Sequence, residues 1–134
     1  MPVKAPAVAE LSWTGDLKFS ATINNHTLVL DSASKAGPTP VETLALSLAG
    51  CMAIDVVHIL TRGRHPLTAL RAHLVGERAS EDPHRFTRIT LQFAIQGVPL
   101  DAAERAAELS REKYCSVWHS MRQDIEFQVT VAVE

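Results

Sequence analysis

The stretch TPVETLALSLAGCMAIDVVHILTRG, residues 39–63, is the most apolar run of the chain, and its reading decides the architecture. Thr39 reads as a helix N-cap, Pro40 as the first helical residue, and Glu42 as the reciprocal partner in a capping box. Gly63 is placed to cap the far end, with Pro66 just beyond to stop any continuation. Between Leu44 and Leu60 the apolar residues run all the way round the helix, the pattern of a helix buried on every side. A domain of 134 residues has trouble surrounding such a helix alone. A second copy of the chain is therefore expected to help cover it. A membrane span is considered and rejected, because the run is at the short limit for crossing a bilayer and carries Asp55 and His58.

Outward from this helix the periodicity changes. AVAELSWTG alternates loosely and ends in a Gly-Asp turn, and LKFSATI alternates Leu17, Phe19, Ala21 and Ile23 against Lys18, Ser20 and Thr22. Asn24-Asn25 is a strong hairpin signal, after which HTLVLD completes a three-stranded meander. After the helix, LTALRAHLVGERA and HRFTRITLQFAIQG form the arms of a long hairpin joined by SEDP. DAAERAAELSREKY follows as an amphipathic helix with Asp101 as N-cap, and a short helix is expected from Ser116. IEFQVTVAV closes as an alternating strand. The order βββ-α-ββ-α-β, with strands and helices segregated, predicts a single α+β domain over residues 1–134 rather than a doubly wound sheet.

Composition narrows the function classes. With 13 Lys and Arg against 15 Asp and Glu, the net charge is −2 and no basic block stands out, so neither nucleic acid nor an anionic membrane is an expected partner. The first ten residues, MPVKAPAVAE, lack the apolar core of a secretory signal, which makes the cytoplasm the expected location. There is no Gly-rich phosphate loop, no GxSxG elbow and no clustered carboxylate pair, and no cofactor is expected.

The chemistry rests on two cysteines, Cys51 in the apolar helix and Cys115 in KYCSVWHSM. In a reducing compartment a permanent structural bridge is disfavoured. Inert core filler and a working redox pair both stay open on the residues alone. A reactive cysteine needs a positive neighbour, a helix N-terminus or a metal. Cys51 has none locally, and the charge of Asp55, four residues on, opposes its ionisation. Cys115 sits close to the start of the short helix, with His119 four residues on and Lys113 two behind. The possible metal ligands are Cys51, Cys115, His58, His119, Asp55 and Glu42, but no CxxC, HxxxH or HExxH spacing links them, and no metal site is expected.

Taken together, AGPTPVETLALSLAGCMAIDVVHIL, then GER, then F.RI.L.F.I.G, then LS.EKYCSV resemble the OsmC/Ohr family, which includes osmotically induced and organic-hydroperoxide-resistance proteins. The resemblance runs in order over nearly the whole chain. It implies an intertwined homodimer with two active sites at the subunit interface and the apolar helices packed centrally. It further implies a thiol-dependent reduction of organic hydroperoxides. The cysteine matching Cys51 attacks the O–O bond and becomes a sulfenic acid, the one matching Cys115 condenses with it to a disulfide, and a dithiol such as a lipoyl group reduces the pair. Peroxidase members carry an arginine in the N-terminal strands and a glutamate ten residues before the first cysteine. Here no arginine precedes Arg62, and the ten-before position is Val41, with Glu42 one residue late. Lys18, Glu42 and His119 are the nearest candidates for electrostatic help, with a capping-box role as the simpler account of Glu42. The alternative implied is a non-catalytic protein binding a hydrophobic small molecule or acyl chain in an interface pocket lined by Leu48, Met52 and Trp118.

Overall fold

The computed structural model describes residues 3–134 and follows the expected order of elements. The chain forms two compact units, one ending at Leu44 and the other beginning at Ala45.

The first unit is an antiparallel sheet of β1 (Ala9–Gly15), β2 (Lys18–Ile23) and β3 (His26–Asp31), in sequence order. Trp13 pairs with Phe19 across β1 and β2, and Ile23 pairs with His26 where β2 turns into β3. Asn24 and Asn25 both take positive φ, 48° and 67°, as a two-residue turn matched to the twist of its strands requires. Beyond β3, the Asp31 carboxylate accepts the backbone N–H groups of Ala36 and Ala33, each at 2.9 Å, and of Lys35 at 3.3 Å. Those bonds, that of Ala36 foremost, hold the Asp31 carboxyl below its usual range. Little of this unit is sequestered: among its described residues only Ala21 and Asp31 are buried, while Leu11, Trp13 and Leu17 are bare.

Helix α1 (Pro40–Arg62) begins in the first unit and continues into the second. Its start is the expected capping box. The Glu42 N–H donates to Thr39 Oγ1 at 3.1 Å, and the Thr39 N–H donates back to Glu42 Oε1 at 2.8 Å. Its end is a Schellman arrangement, with N–H···O bonds from His65 to Leu60 and from Arg64 to Thr61, each 3.0 Å. Gly63 occupies the C-cap, but the left-handed position beyond it falls to Arg64, at φ 61°.

In the second unit α1 packs with a sheet of order β4-β5-β6: β4 (Ala69–Arg78), β5 (Phe86–Gln96) and β6 (Glu126–Val133). β4 and β5 are the expected antiparallel hairpin, whereas β6 returns parallel to β5, with Ile89 beside Phe127 and Ile95 beside Val133. A parallel return needs a crossover. It is supplied by α2 (Leu100–Leu109), a π-helical turn (Ser110–Tyr114) and α3 (Ser116–His119). Asp101 does not cap α2 as expected. Pro99 takes the N-cap position with no side-chain bond, which leaves Asp101 in the first turn as a charge favoured by the helix dipole.

The core is built from period-2 and period-4 stripes. Ile89, Leu91, Phe93 and Ile95 of β5, Leu48, Met52, Val56 and Leu60 of α1, and Ala103, Ala106 and Ala107 of α2 are all buried. Each large side chain so placed contributes about 2 kcal/mol. The small α2 residues allow close approach to the sheet. Within a single chain, α1 is thus buried along one stripe and not all round. Leu46 and Ile54 on its other faces remain 69% and 71% exposed.

Candidate functional site

The spacing of the buried stripe on α1 aims Cys51 to one side of it, next to Met52, where its side chain is half-buried. Four residues on, Asp55 lies on the same side of the helix by the i, i+4 rule. The crossover brings the second cysteine to meet them. The π-helical turn widens the end of α2, and the Cys115 N–H closes it by donating to the Ser110 carbonyl at 2.7 Å. Cys115 then takes extended backbone and serves as N-cap of α3, its Sγ accepting the Trp118 N–H at 3.3 Å. Trp118 is in turn fixed by ring contact with Phe127 of β6, at 4.4 Å between centroids.

As a result, Cys51 Sγ, a carboxylate oxygen of Asp55 and Cys115 Sγ lie within 4.8 Å of one another. Both thiols are free. The Ser110 hydroxyl donates to Asp55 Oδ2 at 2.8 Å, locking the carboxylate from the crossover side. Cys115 has no exposed surface, and burial pushes its thiol from the usual 9.0 up to about 11. The Trp118 N–H opposes that shift, and the adjoining Cys51 thiol adds to it. One thiol is therefore reachable from solvent while its neighbour is held protonated in the core.

The other expected residues are occupied elsewhere. Glu42 is bonded to Thr39 and to the Ser34 hydroxyl at 2.7 Å, which is the capping reading rather than a catalytic one. Lys18 pairs loosely with Asp16 at 3.9 Å. The His119 ring, which was expected to assist Cys115, is exposed and bonds the Arg111 carbonyl at 3.0 Å. Leu48, Met52 and Trp118 are fully or almost fully buried and form part of the core of the second unit. Of the six possible metal ligands, only Cys51, Asp55 and Cys115 gather their donor atoms together. Ser110 escaped the sequence reading as a functional residue, although it stands in the LS.EKYCSV motif five residues before Cys115.

An accessible helix thiol facing a sequestered crossover thiol, on a small α+β scaffold, defines a two-cysteine thiol protein. The sequence matches the family described as OsmC-like protein over residues 32–130, and the chain belongs to that family. It is 42% identical over 114 residues to Protein YhfA of Escherichia coli K12, covering 81% of this chain and 84% of that one. Among solved structures it resembles a protein of Aquifex aeolicus VF5, with 25% identity, 98% coverage of both chains and a TM-score of 0.91. It also shares its fold with an organic hydroperoxide resistance protein OsmC of Legionella pneumophila, at 16% identity, covering 98% of this chain and 100% of that one, TM-score 0.76. The expected α+β OsmC-like architecture is therefore the architecture of the chain.

Proposed function

We propose that this protein reduces organic hydroperoxides with Cys51 and Cys115 as a reacting pair. The observation that carries the reading is the approach of an accessible Sγ and a buried Sγ to within 4.8 Å, both free. Ionised Cys51 attacks one oxygen of the peroxide O–O bond. That bond breaks, the alkoxide leaves as an alcohol after taking up a proton, and Cys51 becomes a sulfenic acid. Cys115 then forms the S–S bond and the sulfenic oxygen leaves as water. Two electrons from an external dithiol, of the lipoyl kind, restore both thiols. The order of roles follows from burial, because a thiol held near 11 makes a poor first nucleophile but can still react with a sulfenic sulfur beside it. His119, Lys18 and Glu42 bond to other groups, and the charge of Asp55 opposes ionisation of Cys51, so electrostatic support for its thiolate rests on what approaches from outside the chain.

A homodimer belongs to this proposal. Trp13, Leu17, Leu46 and Ile54 are each more than two-thirds exposed, more apolar surface than a lone chain needs to leave in water. Cysteines that cycle through thiols also suit a cytoplasmic setting. Binding of a hydrophobic molecule without turnover draws less support, since Leu48, Met52 and Trp118 already fill the core.

The test is mass spectrometry of reduced protein after one equivalent of cumene hydroperoxide. A Cys51–Cys115 linkage forming within seconds, and a sulfenic acid trapped on Cys51 in the Cys115→Ser variant, are expected. Thiols that stay free for many minutes would overturn the proposal.

A further inference from the structure

The juxtaposition of two sulfurs and one carboxylate has a second chemical meaning. Asp55 makes no ion pair among the described residues, and its hydrogen-bond partner there is the neutral Ser110 hydroxyl. The groups that shift the Cys115 thiol, besides burial, are the Trp118 and Val117 amides and Cys51, none of them cationic. Once a thiol in this cluster ionises, negative charges stand within 4.8 Å of each other, and no ion pair among the described residues offsets the Asp55 carboxylate. At such separations like charges repel by several kcal/mol at a dielectric of about 20, so a cation between them is strongly favoured.

We propose that Cys51, Asp55 and Cys115 form a three-ligand site for a thiophilic divalent cation of the zinc class. The donor set fits: thiolate bonds of about 2.3 Å and carboxylate bonds of about 2.1 Å place tetrahedral ligand atoms roughly 3.5–3.8 Å apart. Starting from separations of at most 4.8 Å, closure requires each ligand to move by less than about an ångström. Three protein ligands leave a fourth position for water or an added thiol, which is reachable because Cys51 and Asp55 are both half-buried and not sealed in. Ser110 orients the carboxylate, the support that metal ligands usually receive from a neighbouring donor. Loading displaces the two thiol protons into solvent and leaves both sulfurs as thiolates, with no change of oxidation state. The site does not depend on the proposed peroxide chemistry, although a loaded dithiol cannot form a disulfide without releasing the metal.

The experiment uses reduced, full-length protein in metal-free buffer, titrated with cadmium(II) to read the ultraviolet thiolate charge-transfer band. Zinc(II) affinity is measured in parallel by competition with a chromophoric chelator. One cadmium per chain is expected, with band intensity for two thiolates and simultaneous protection of Cys51 and Cys115 from alkylation. Asp55→Asn, which keeps both thiols and the size of the side chain, is expected to weaken zinc binding by at least tenfold. Ser110→Ala is expected to weaken it by about tenfold through the carboxylate it holds. Protein oxidised beforehand to the disulfide should bind no cadmium. No charge-transfer band, or zinc affinity unchanged in both Asp55→Asn and Ser110→Ala with folding verified by circular dichroism, would overturn the proposal. Because cadmium binding is read without peroxide, its failure is distinguishable from a failure of the hydroperoxide reading.

Discussion

Cys115 offers the sharpest quantitative test of the site. Its side chain has no solvent contact, and burial, opposed by the Trp118 N–H and reinforced by Cys51, moves its thiol from 9.0 to about 11. At pH 8 an ordinary thiol is about one-tenth thiolate, whereas Cys115 is about one-thousandth, a hundredfold loss of the reactive form. Alkylation by iodoacetamide, quenched at intervals and quantified by peptide mass spectrometry, should therefore label Cys115 at least about a hundredfold more slowly in the folded chain than in guanidinium. The rate in folded protein should rise towards pH 11. In the Cys51→Ala variant the midpoint should fall but stay above 9.0, because burial, the largest cause, is unchanged. The same shift has a thermodynamic face. Below pH 9.0 both folded and unfolded chains hold the proton and the contribution is fully present. Between 9.0 and about 11 the unfolded chain loses it first, and stability falls by up to about 3 kcal/mol as pH rises through that window. A folded-state midpoint at or below 9.0 would refute the reasoning, since it would mean that hydrogen bonding to the thiolate outweighs burial.

Other outcomes follow from the same geometry. Thr39→Ala removes the acceptor for the Glu42 N–H and should cost about 1 kcal/mol, lowering the melting temperature by roughly 4 °C, while disulfide formation with cumene hydroperoxide proceeds at an unchanged rate. A loss of that rate would return Glu42 to the reacting site. Ile54→Asp should shift sedimentation towards a monomer, with at least about a hundredfold rise in the dimer dissociation constant, because it leaves an unpaired charge in an apolar contact. An unchanged sedimentation coefficient would show that this face of α1 is not covered by a second copy. Gly76→Ala drives a Cβ into the Phe86 ring and should cost about 1–3 kcal/mol in urea titrations with an unchanged slope. Formation of a Cys51–Cys115 disulfide, by closing a loop of several tens of residues, should raise stability by about 4 kcal/mol over the dithiol form.

What could be read in the sequence was what local rules govern. The capping box at Thr39–Glu42, the Asn24-Asn25 turn and the alternation from Ile89 to Ile95 each depend on residues a few positions apart, and each formed as expected. Cys115 fell at the predicted break before a short helix for the same reason. The cap of α2 went astray because Pro99 already fixes the extended φ that an N-cap needs, which displaced Asp101 into the helix. The apolar pattern of α1 overstated its burial, since periodicity registers that a residue is apolar and not which surface meets it. Leu48 and Leu46 read alike in the sequence but differ completely in exposure. The parallel return of β6 and the bond from Ser110 to Asp55, which joins positions 55 residues apart, arise only from the crossover. No spacing rule reaches that far.

Asp55 also matters before any fold exists. By length and composition, α1 passes as a segment able to cross a bilayer, and a ribosome presents it as a bare hydrophobic stretch before β4, β5 and β6 have been made. An aspartate near the middle of such a segment costs about 3 kcal/mol when the insertion machinery samples it. The carboxylate that the finished protein sets beside two sulfurs is thus, during synthesis, about a hundredfold bias towards release from the membrane. Replacing it with leucine would touch the destination of the nascent chain as well as its chemistry.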